Sequence, residues 1–549
     1  MMADTAGTAD AIVIGSGVNG LVAAAELAGA GWSVTLVEAN TRLGGFIASD
    51  ERTLPGYVHD TFSSWHPLFV SGPAHAALGE DLRRHGLAYR NTDGPLTASV
   101  ADDGRVVVAD RDPEATAAGF ADAEDRRRYL AALDRLAGNA GPIGALMGSE
   151  ITASALLRNG GGLVRGLGRA GAEAWLRDLA SSGRAWCRRE FTGPEVDHLW
   201  APWLLHAGLS PDHASGGFMI PVLASTMHGA GLPVVEGGAG RFVAAFESLL
   251  RSRGVEILTG TPVDLITVEG GRATGVVAGG RTLRAARAVV ASVTPNALYG
   301  RLLPPGSVSR AVVREARGFR YGRGEMQIHV ALSGPPDWRD DRLARVPLLH
   351  VSDGSASTGI ACAQAEAGLL PDRPTVVVGQ QDVLDPSRVP EGAAALWFQL
   401  QETPFAPAGD AAGELDAAGA WTPELARGYA ARVLDRVAKH APGLHEKVLA
   451  IDVITPADLA ASNPNAEFGD PYGGSAELDQ NFFWRPLPGA RHHRTPVRGL
   501  WHIGASTHPG AGLGGVSGHL AAQALTAPRP AAARVRGAAA RLGRRRPLR

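Results

Sequence analysis

The run Asp10-Ala-Ile-Val-Ile-Gly15-Ser-Gly17-Val-Asn-Gly20, with Glu38 behind it, constrains the fold of this chain more than any other feature. Residues 11–14 are a short apolar run suited to a buried parallel strand. Gly15 permits a tight turn. Gly17 lets bare backbone approach a pyrophosphate, and Gly20 lets the next helix lie close against the strand. That helix, about Val18–Ala28, aims its first N–H groups and its dipole at the phosphates. A second strand, Ser33–Val37, delivers Glu38 to ribose hydroxyls. A glycine triplet alone means little in a chain with 71 glycines. Strand, triplet, helix, strand and acid in this order predict a bound dinucleotide.

At 549 residues the chain exceeds one ordinary domain, and two are expected. Charge is nearly balanced, 53 basic against 55 acidic residues, which argues against a nucleic-acid partner. Cys187 and Cys362 stand far apart, so no disulfide framework is implied and a reducing cytoplasm fits. Without a C-x-x-C pair, flavin–disulfide exchange is not expected. No zinc or iron ligand spacing occurs, so no metal is predicted. Met1–Asp10 is acidic and polar, unlike a signal peptide. No run approaches the ~18 apolar residues of a spanning helix. The expectation is a cytoplasmic protein, soluble or held peripherally on the cytoplasmic face of a membrane. Ala527–Arg549 carries eight arginines and no acid. It reads equally as a basic helix on an anionic membrane surface or as a flexible, solvated tail.

After Glu38, Thr41-Arg42-Leu43-Gly44-Gly45 adds a second glycine pair, of the kind flavoproteins use to bring a loop under the diphosphate and flavin. From about 96 to 225 helical patterns dominate; Tyr129, Leu130, Leu133 and Leu136 share one face of Asp122–Leu136. Asn159–Gly168 is glycine-rich and reads as a mobile loop. Trp186, Trp200, Trp203 and Phe218 fit core packing, or in a sharper reading a greasy tunnel. Past Pro233–Gly240 and a helix, Gly270-Gly271 and Gly279-Gly280 mark two tight hairpins, with Arg287–Val293 returning as a separate apolar strand. Val263 opens this meander and is a candidate for backbone contact to adenine. Strand-like runs at Glu325–Leu332, Pro347–Ser352, Thr375–Gln380 and Ala393–Gln401 suit a mixed sheet in a second domain, closed by helix Thr422–His440.

A second signature lies near the end, in Leu500–Ile503-Gly504-Ala-Ser-Thr507-His508-Pro509-Gly510-Ala-Gly512-Leu-Gly514-Gly515-Val516. The glycines let backbone sit against a flat ring, and the helix from Val516 points its N-terminus back at it. That arrangement favours the negative charge of a reduced flavin.

With these motifs the chain resembles the phytoene desaturase family of FAD-dependent oxidoreductases, which includes carotenoid desaturases, desaturase-like carotene ketolases and retinol saturase-like enzymes. Gly504–Gly512 is the most specific part of the match, and Asp479-Gln-Asn-Phe-Phe-Trp484-Arg485-Pro486 resembles the ketolase subgroup. The resemblance implies non-covalent FAD and an α/β fold: a Rossmann-type FAD-binding domain assembled from separated segments, 1–95, 226–300 and 451–526. A mixed α+β substrate domain takes 96–225 and 301–450, with a long hydrophobic tunnel. Carried over by motif, the FAD neighbours are Gly15, Gly17, Gly20, Glu38, Arg42, Gly44, Gly45, Val263, Gly504, Gly512, Gly514, Gly515 and Val516. Phe46, where many desaturases have arginine, and Asp60-Thr61-Phe62, where relatives often carry Asp-x-Gly, depart from the pattern near the expected flavin or substrate channel.

The implied chemistry is hydride transfer from an activated C–H of a hydrophobic, isoprenoid- or carotenoid-like substrate. A neighbouring proton must also leave. His508 is the first candidate to take it, although Pro509 restricts it to an extended conformation that also suits a purely structural part. His228, Glu236 and His66 follow. Two alternatives stand beside this: an amine-oxidase-like flavoenzyme acting on a smaller polar molecule, and a non-catalytic prenyl-lipid carrier of the same architecture without FAD. Thr507-His508-Pro509 favours the desaturase reading over the first, and the intact glycine signatures argue against the second.

Overall fold

A computed structural model describes residues 7–150, 152 and 156–528. The arginine-rich part of the tail therefore lies outside the described residues. Two seven-stranded sheets dominate. In chain order their strands are β1 (Thr8–Ile14), β2 (Val34–Val37), β3 (Pro95–Val100), β4 (Val106–Asp110), β5 (Glu256–Leu258), β6 (Val263–Glu269), β7 (Arg272–Ala278), β8 (Arg281–Ser292), β9 (Gly324–Leu332), β10 (Leu348–Val351), β11 (Val376–Gly379), β12 (Ala394–Thr403), β13 (Val448–Ile454) and β14 (Leu500–Ile503). The helices that position the site are α1 (Val18–Gly29), α2 (Ala123–Ala137), α3 (Ala140–Met147), α4 (Gly161–Ala180), α5 (Gly216–Ala230), α6 (Gly240–Ser252), α7 (Pro423–Ala438) and α8 (Val516–Thr526).

The first sheet runs β6-β7-β8-β1-β2-β5, with β14 parallel to β8. Its central strands are parallel and buried on both faces, which is why their sequences are continuously apolar. One strand differs from expectation. The second arm of the hairpin and the returning apolar run are a single twelve-residue strand, β8. Its first part pairs antiparallel with β7 and its last part parallel with β14, so one long strand serves two neighbours in turn.

The second sheet runs β13-β9-β12-β11-β10-β3-β4. Residues 451–454, expected in the cofactor domain, pair with β9 in this sheet instead. Alternation sends Met326, Ile328, Val330, Leu396, Phe398 and Leu400 to one face, where they form a core with Leu425, Tyr429 and Val433 of α7. Trp186, Trp200 and Trp203 belong to a separate core between the helices and the other face. Asn159–Gly168, expected as a loop, is helical: a π-turn, Leu156–Gly160, runs into α4, and only Gly168 leaves helical dihedrals, at φ 69° and ψ 173°.

A buried ion cluster joins the two sheets' surroundings. Arg388 Nη1 lies 2.7 Å from Asp60 Oδ2, its Nε lies 3.2 Å from Asp385 Oδ2, and its Nη2 donates to the Val235 carbonyl at 2.6 Å. Removing one partner of such a cluster leaves a buried charge and costs about 3–5 kcal/mol.

The tightest helix contact is α1 against α8. A Cβ on Gly518 would lie 2.0 Å from the Asn19 carbonyl oxygen, so glycine alone allows the backbones to approach this closely. Gly518→Ala should therefore destabilise the protein by about 1–3 kcal/mol. Gly229→Ala, in α5 with nothing within 4 Å of the new methyl, should be neutral or stabilising. Urea unfolding of the two variants checks both directions.

Candidate active site

Two helix N-termini meet in one cleft because of that contact. Neither α1 nor α8 has a side-chain cap or an acid in its first turn. Their leading N–H groups and positive dipole ends are left for an anion. Asn19 Oδ1 accepts from the Gly518 N–H at 3.1 Å, tying one N-terminus to the other.

In the first glycine loop each position has its own geometry. Gly15 takes φ 87°, and a Cβ there would meet the Ser292 carbonyl oxygen at 3.0 Å. A Cβ on Gly20 would lie 1.9 Å from the Gly15 carbonyl oxygen. Gly17 differs: its φ is −60°, ordinary for any residue, and nothing lies within 4 Å of its missing side chain. The space beside Gly17 is a cradle that a side chain would fill. Gly45 stands over it, with its own Cβ position 3.1 Å from Gly17 Cα. Gly44 donates its N–H to the Ser16 carbonyl at 3.2 Å, and so docks the second glycine pair under the first loop.

Glu38 is buried at the end of β2. Its Oε2 accepts from the Ser16 N–H at 2.8 Å and hydroxyl at 2.6 Å, and its Oε1 from the Asn40 N–H at 2.8 Å. Thr261 N–H donates to the Glu38 carbonyl at 2.9 Å, two residues before Val263 opens β6. Arg42 is exposed and makes no hydrogen bond or ion pair among the described residues, leaving its charge free for a phosphate.

At the far end, Gly504 (φ 113°), Gly512 (φ 126°) and Gly515 (φ 67°) hold conformations that favour glycine. A Cβ on Gly515 would meet Val22 of α1 at 2.7 Å, and Gly514 packs on the Leu68 carbonyl. The Gly504 N–H donates to Ser517 Oγ at 3.1 Å, beside Val516 at the start of α8. His493 bridges from Glu150 Oε1 at 2.7 Å to the His508 carbonyl and Ser517 Oγ, both at 3.0 Å. Arg485, buried, donates to the Ala505 carbonyl at 2.8 Å and the Tyr472 carbonyl at 3.0 Å. Neither Glu150 nor His493 is marked by a motif; only the fold brings them under this loop.

His508 is buried, its Nε2 has no partner, and burial with His493 beside it pushes the ring down to about 4. It is neutral at pH 7 and able to accept a proton. The other proton-taking candidates lie in different surroundings. His228 is pinned at both nitrogens, Nδ1 to the Asp110 carbonyl at 2.8 Å and Nε2 to the Tyr129 hydroxyl at 2.6 Å, within the helical layer. Glu236 is at the surface, paired with Arg90 at 2.9 Å. His66 is buried, with Nδ1 against the Tyr89 hydroxyl at 3.0 Å; its Nε2, like that of His508, has no partner, and burial pushes its ring down to about 4.

Sequence reading misses a polar cluster on the inner face of the second sheet. Glu325 and Gln327 of β9 stand beside Gln399 and Gln401 of β12. Gln399 Nε2 donates to Glu325 Oε2 at 2.6 Å, Gln401 Nε2 to the Tyr472 hydroxyl at 2.8 Å, and Gln327 Nε2 to the Phe62 carbonyl at 2.9 Å. A signal for it exists: Glu-x-Gln-x-His and Gln-x-Gln at period two inside otherwise apolar strands. Phe62 packs edge-on against Phe46, directly after Gly44-Gly45, with ring centroids 5.5 Å apart. The cluster thus abuts the cofactor loops.

These loops fit an extended dinucleotide, and the fold is that of an FAD-dependent oxidoreductase. Residues 19–525 match the family described as flavin containing amine oxidoreductase, and the chain belongs to that family. Its relatives include a rat protein called pyridine nucleotide-disulfide oxidoreductase domain-containing protein 2, 27% identical over 93% of this chain and 92% of that one. A limonene dehydrogenase component from Castellaniella defragrans is 24% identical over 94% of each chain. Hydroxyneurosporene desaturase of Cereibacter sphaeroides is 26% identical over 61% of this chain and 62% of its own. The likeness to desaturases read from the motifs is therefore found in sequence comparison too. Both cysteines are buried and free, so the redox cysteine pair suggested by the rat protein's name has no counterpart among the described residues.

Gly17→Ala should fold with unchanged stability in the absence of FAD yet purify with little or no yellow colour, because the methyl enters the diphosphate's space without touching protein. Absorbance near the flavin band and apoprotein unfolding measure the two parts separately.

Burial also sets a pH dependence. Glu325 is pushed up to about 8 and Glu402 to about 7, from 4.5. The folded state holds these protons more tightly than the unfolded chain, so their stabilisation is complete below about 4.5 and is lost as pH rises through 7 and 8. Each group contributes a slope of at most ~1.4 kcal/mol per pH unit. The buried histidines, held below 6.5, act in the opposite sense and fade above that value. Thermal stability should fall from neutral pH to pH 8, and Glu325→Gln should flatten the fall.

Proposed function

We propose that this FAD enzyme removes a hydride and a neighbouring proton from a hydrophobic, isoprenoid- or carotenoid-like substrate, forming a carbon–carbon double bond. The observation that carries the reading is the likeness, along 94% of the chain, to a protein named for limonene dehydrogenation, seconded by a hydroxyneurosporene desaturase. The apolar layer of Trp200, Trp203, Leu204 and Ile220 against Leu348 and Trp397 of the second sheet supports it.

Bound FAD supplies the two-electron acceptor for the hydride. The chain does the remainder. Gly17 and Gly45 admit the diphosphate, Arg42 and the N-termini of α1 and α8 offset its charge, and Glu38 orients the ribose. The N-terminus of α8 favours negative charge on the reduced ring. Hydride loss leaves positive charge on the substrate, which adjacent double bonds spread, so a weak base suffices. His508 Nε2, neutral and unpartnered, takes the proton from the neighbouring carbon.

A second reading, oxidation of an amine, has one specific observation in its favour: idle oxygen acceptors on Glu325, Gln327 and Gln401. Anaerobic mixing separates the two. Isoprenoid polyenes or allylic hydrocarbons should bleach the flavin and simple amines should not; bleaching by amines alone would reverse the assignment. His508→Ala should keep FAD and slow that bleaching by about 10²-fold or more. An unchanged single-turnover rate would remove His508 from the mechanism.

A further inference from the structure

The four-residue cluster on β9 and β12 is unusual in what it leaves unused. Glu325, Gln327 and Gln401 are each at most 3% exposed. Every side-chain amide N–H2 group described there is directed at a protein oxygen, on Glu325, Tyr472 or Phe62. The Tyr472 hydroxyl in turn donates to the Leu205 carbonyl at 2.9 Å. Glu325 Oε1, Gln327 Oε1, Gln401 Oε1 and the neighbouring Thr403 Oγ1 have no partner. A network serving only the fold would satisfy acceptors as well as donors. Here the amide donors are engaged, while these oxygens, one of them on the protonated Glu325 carboxyl, are idle, and they lie on neighbouring strands, since Gln327 is directly opposite Gln399 and Gly324 opposite Thr403 in the β9–β12 register.

Position argues for a ligand. One side of the cluster touches Phe62, which packs on Phe46 beside the second glycine pair. The other touches Tyr472, next to Gly473, whose carbonyl accepts from Ser506 of the C-terminal flavin loop at 2.6 Å. At the Gly324–Thr403 end of the same strands a cleft of about 360 Å³ opens, where Tyr321, Phe405 and Phe468 stand among the charged Arg320, Arg323 and Glu366. Phe468 stands 5.7 Å from each of the other two rings and takes φ 58°, rare for an aromatic residue.

We propose that Glu325, Gln327, Gln399 and Gln401 form a subsite for a hydroxyl group carried by an otherwise apolar substrate. The inference rests on the hydride-removal reading above and adds the polar end of the molecule. A hydroxyl donates its hydrogen to an idle amide oxygen and accepts the proton of Glu325. An ammonium group has three donors and no acceptor, and would require Glu325 ionised. Burial opposes that, pushing the carboxyl up to about 8.

The test uses the FAD-loaded enzyme without oxygen and three probes of one monoterpene skeleton: the hydrocarbon, the alcohol and the amine. Binding is read from perturbation of the flavin spectrum. The alcohol should bind roughly tenfold tighter than the hydrocarbon, the discrimination expected of one well-made hydrogen bond. Gln327→Met and Gln401→Met, which keep side-chain volume, should each bring the ratio toward unity; should one fail to retain FAD, the other carries the test. Equal affinities in the unmodified enzyme, an undiminished ratio in an FAD-replete variant, or tightest binding of the amine would overturn the subsite. Flavin reduction without discrimination overturns this inference alone. Discrimination without reduction by any probe overturns the hydride reading and leaves the subsite standing.

Discussion

The contact of α1 with α8 is the constraint on which the rest of the molecule depends. The helices begin almost 500 residues apart in sequence, and the Asn19–Gly518 contact links them at a separation of 499. Because Gly518 presents no side chain, two helix N-termini can share one cleft. Glu26 reinforces the pair from the side, accepting from His519 at 2.6 Å and Gln523 at 2.9 Å. Without this contact each N-terminus would be an ordinary uncapped helix end. Together they bring two sets of uncapped N–H donors close to each other, a setting suited to an anionic cofactor.

The second sheet supplies the opposite kind of surface. Its outer face is a conventional apolar core under α7, where alternation and burial account for the strand residues. Its inner face is polar next to the cofactor loops and apolar under the tryptophan-rich helices. The Asp60–Arg388–Asp385 cluster holds the two surfaces in register. Buried ion groups of this kind add little net stability but tolerate few alternative arrangements, which suits a boundary that must position a substrate against a flavin.

Legibility from sequence follows the locality of the physics. Gly15, Gly17 and Gly20 act within one turn, and their dihedrals and clashes follow from the strand and helix beside them. The hairpins at Gly270-Gly271 and Gly279-Gly280 are equally readable. The long strand β8 reads as two because charged residues such as Arg284 and Arg287 interrupt its pattern; its neighbours, not its own sequence, keep it extended. The helical course of Asn159–Gly168 reads as a loop because several glycines lower helix propensity, while only Gly168 actually breaks the dihedrals. His228 and Glu236 stand out by nearness in sequence to a cofactor segment, and their partners Tyr129 and Arg90 lie far away along the chain.

The sequence by itself determined the dinucleotide fold, the flavin class of the cofactor and the residues of the two glycine signatures, because each depends on contacts within a few residues. Only the tertiary structure decided that Glu150 and His493 brace the flavin loop, and that His508 keeps a buried nitrogen without a partner. It alone also left oxygens of Glu325, Gln327 and Gln401 without partners. Those properties are set by which distant side chains, or none, come within hydrogen-bonding reach, and no local pattern of residues encodes that.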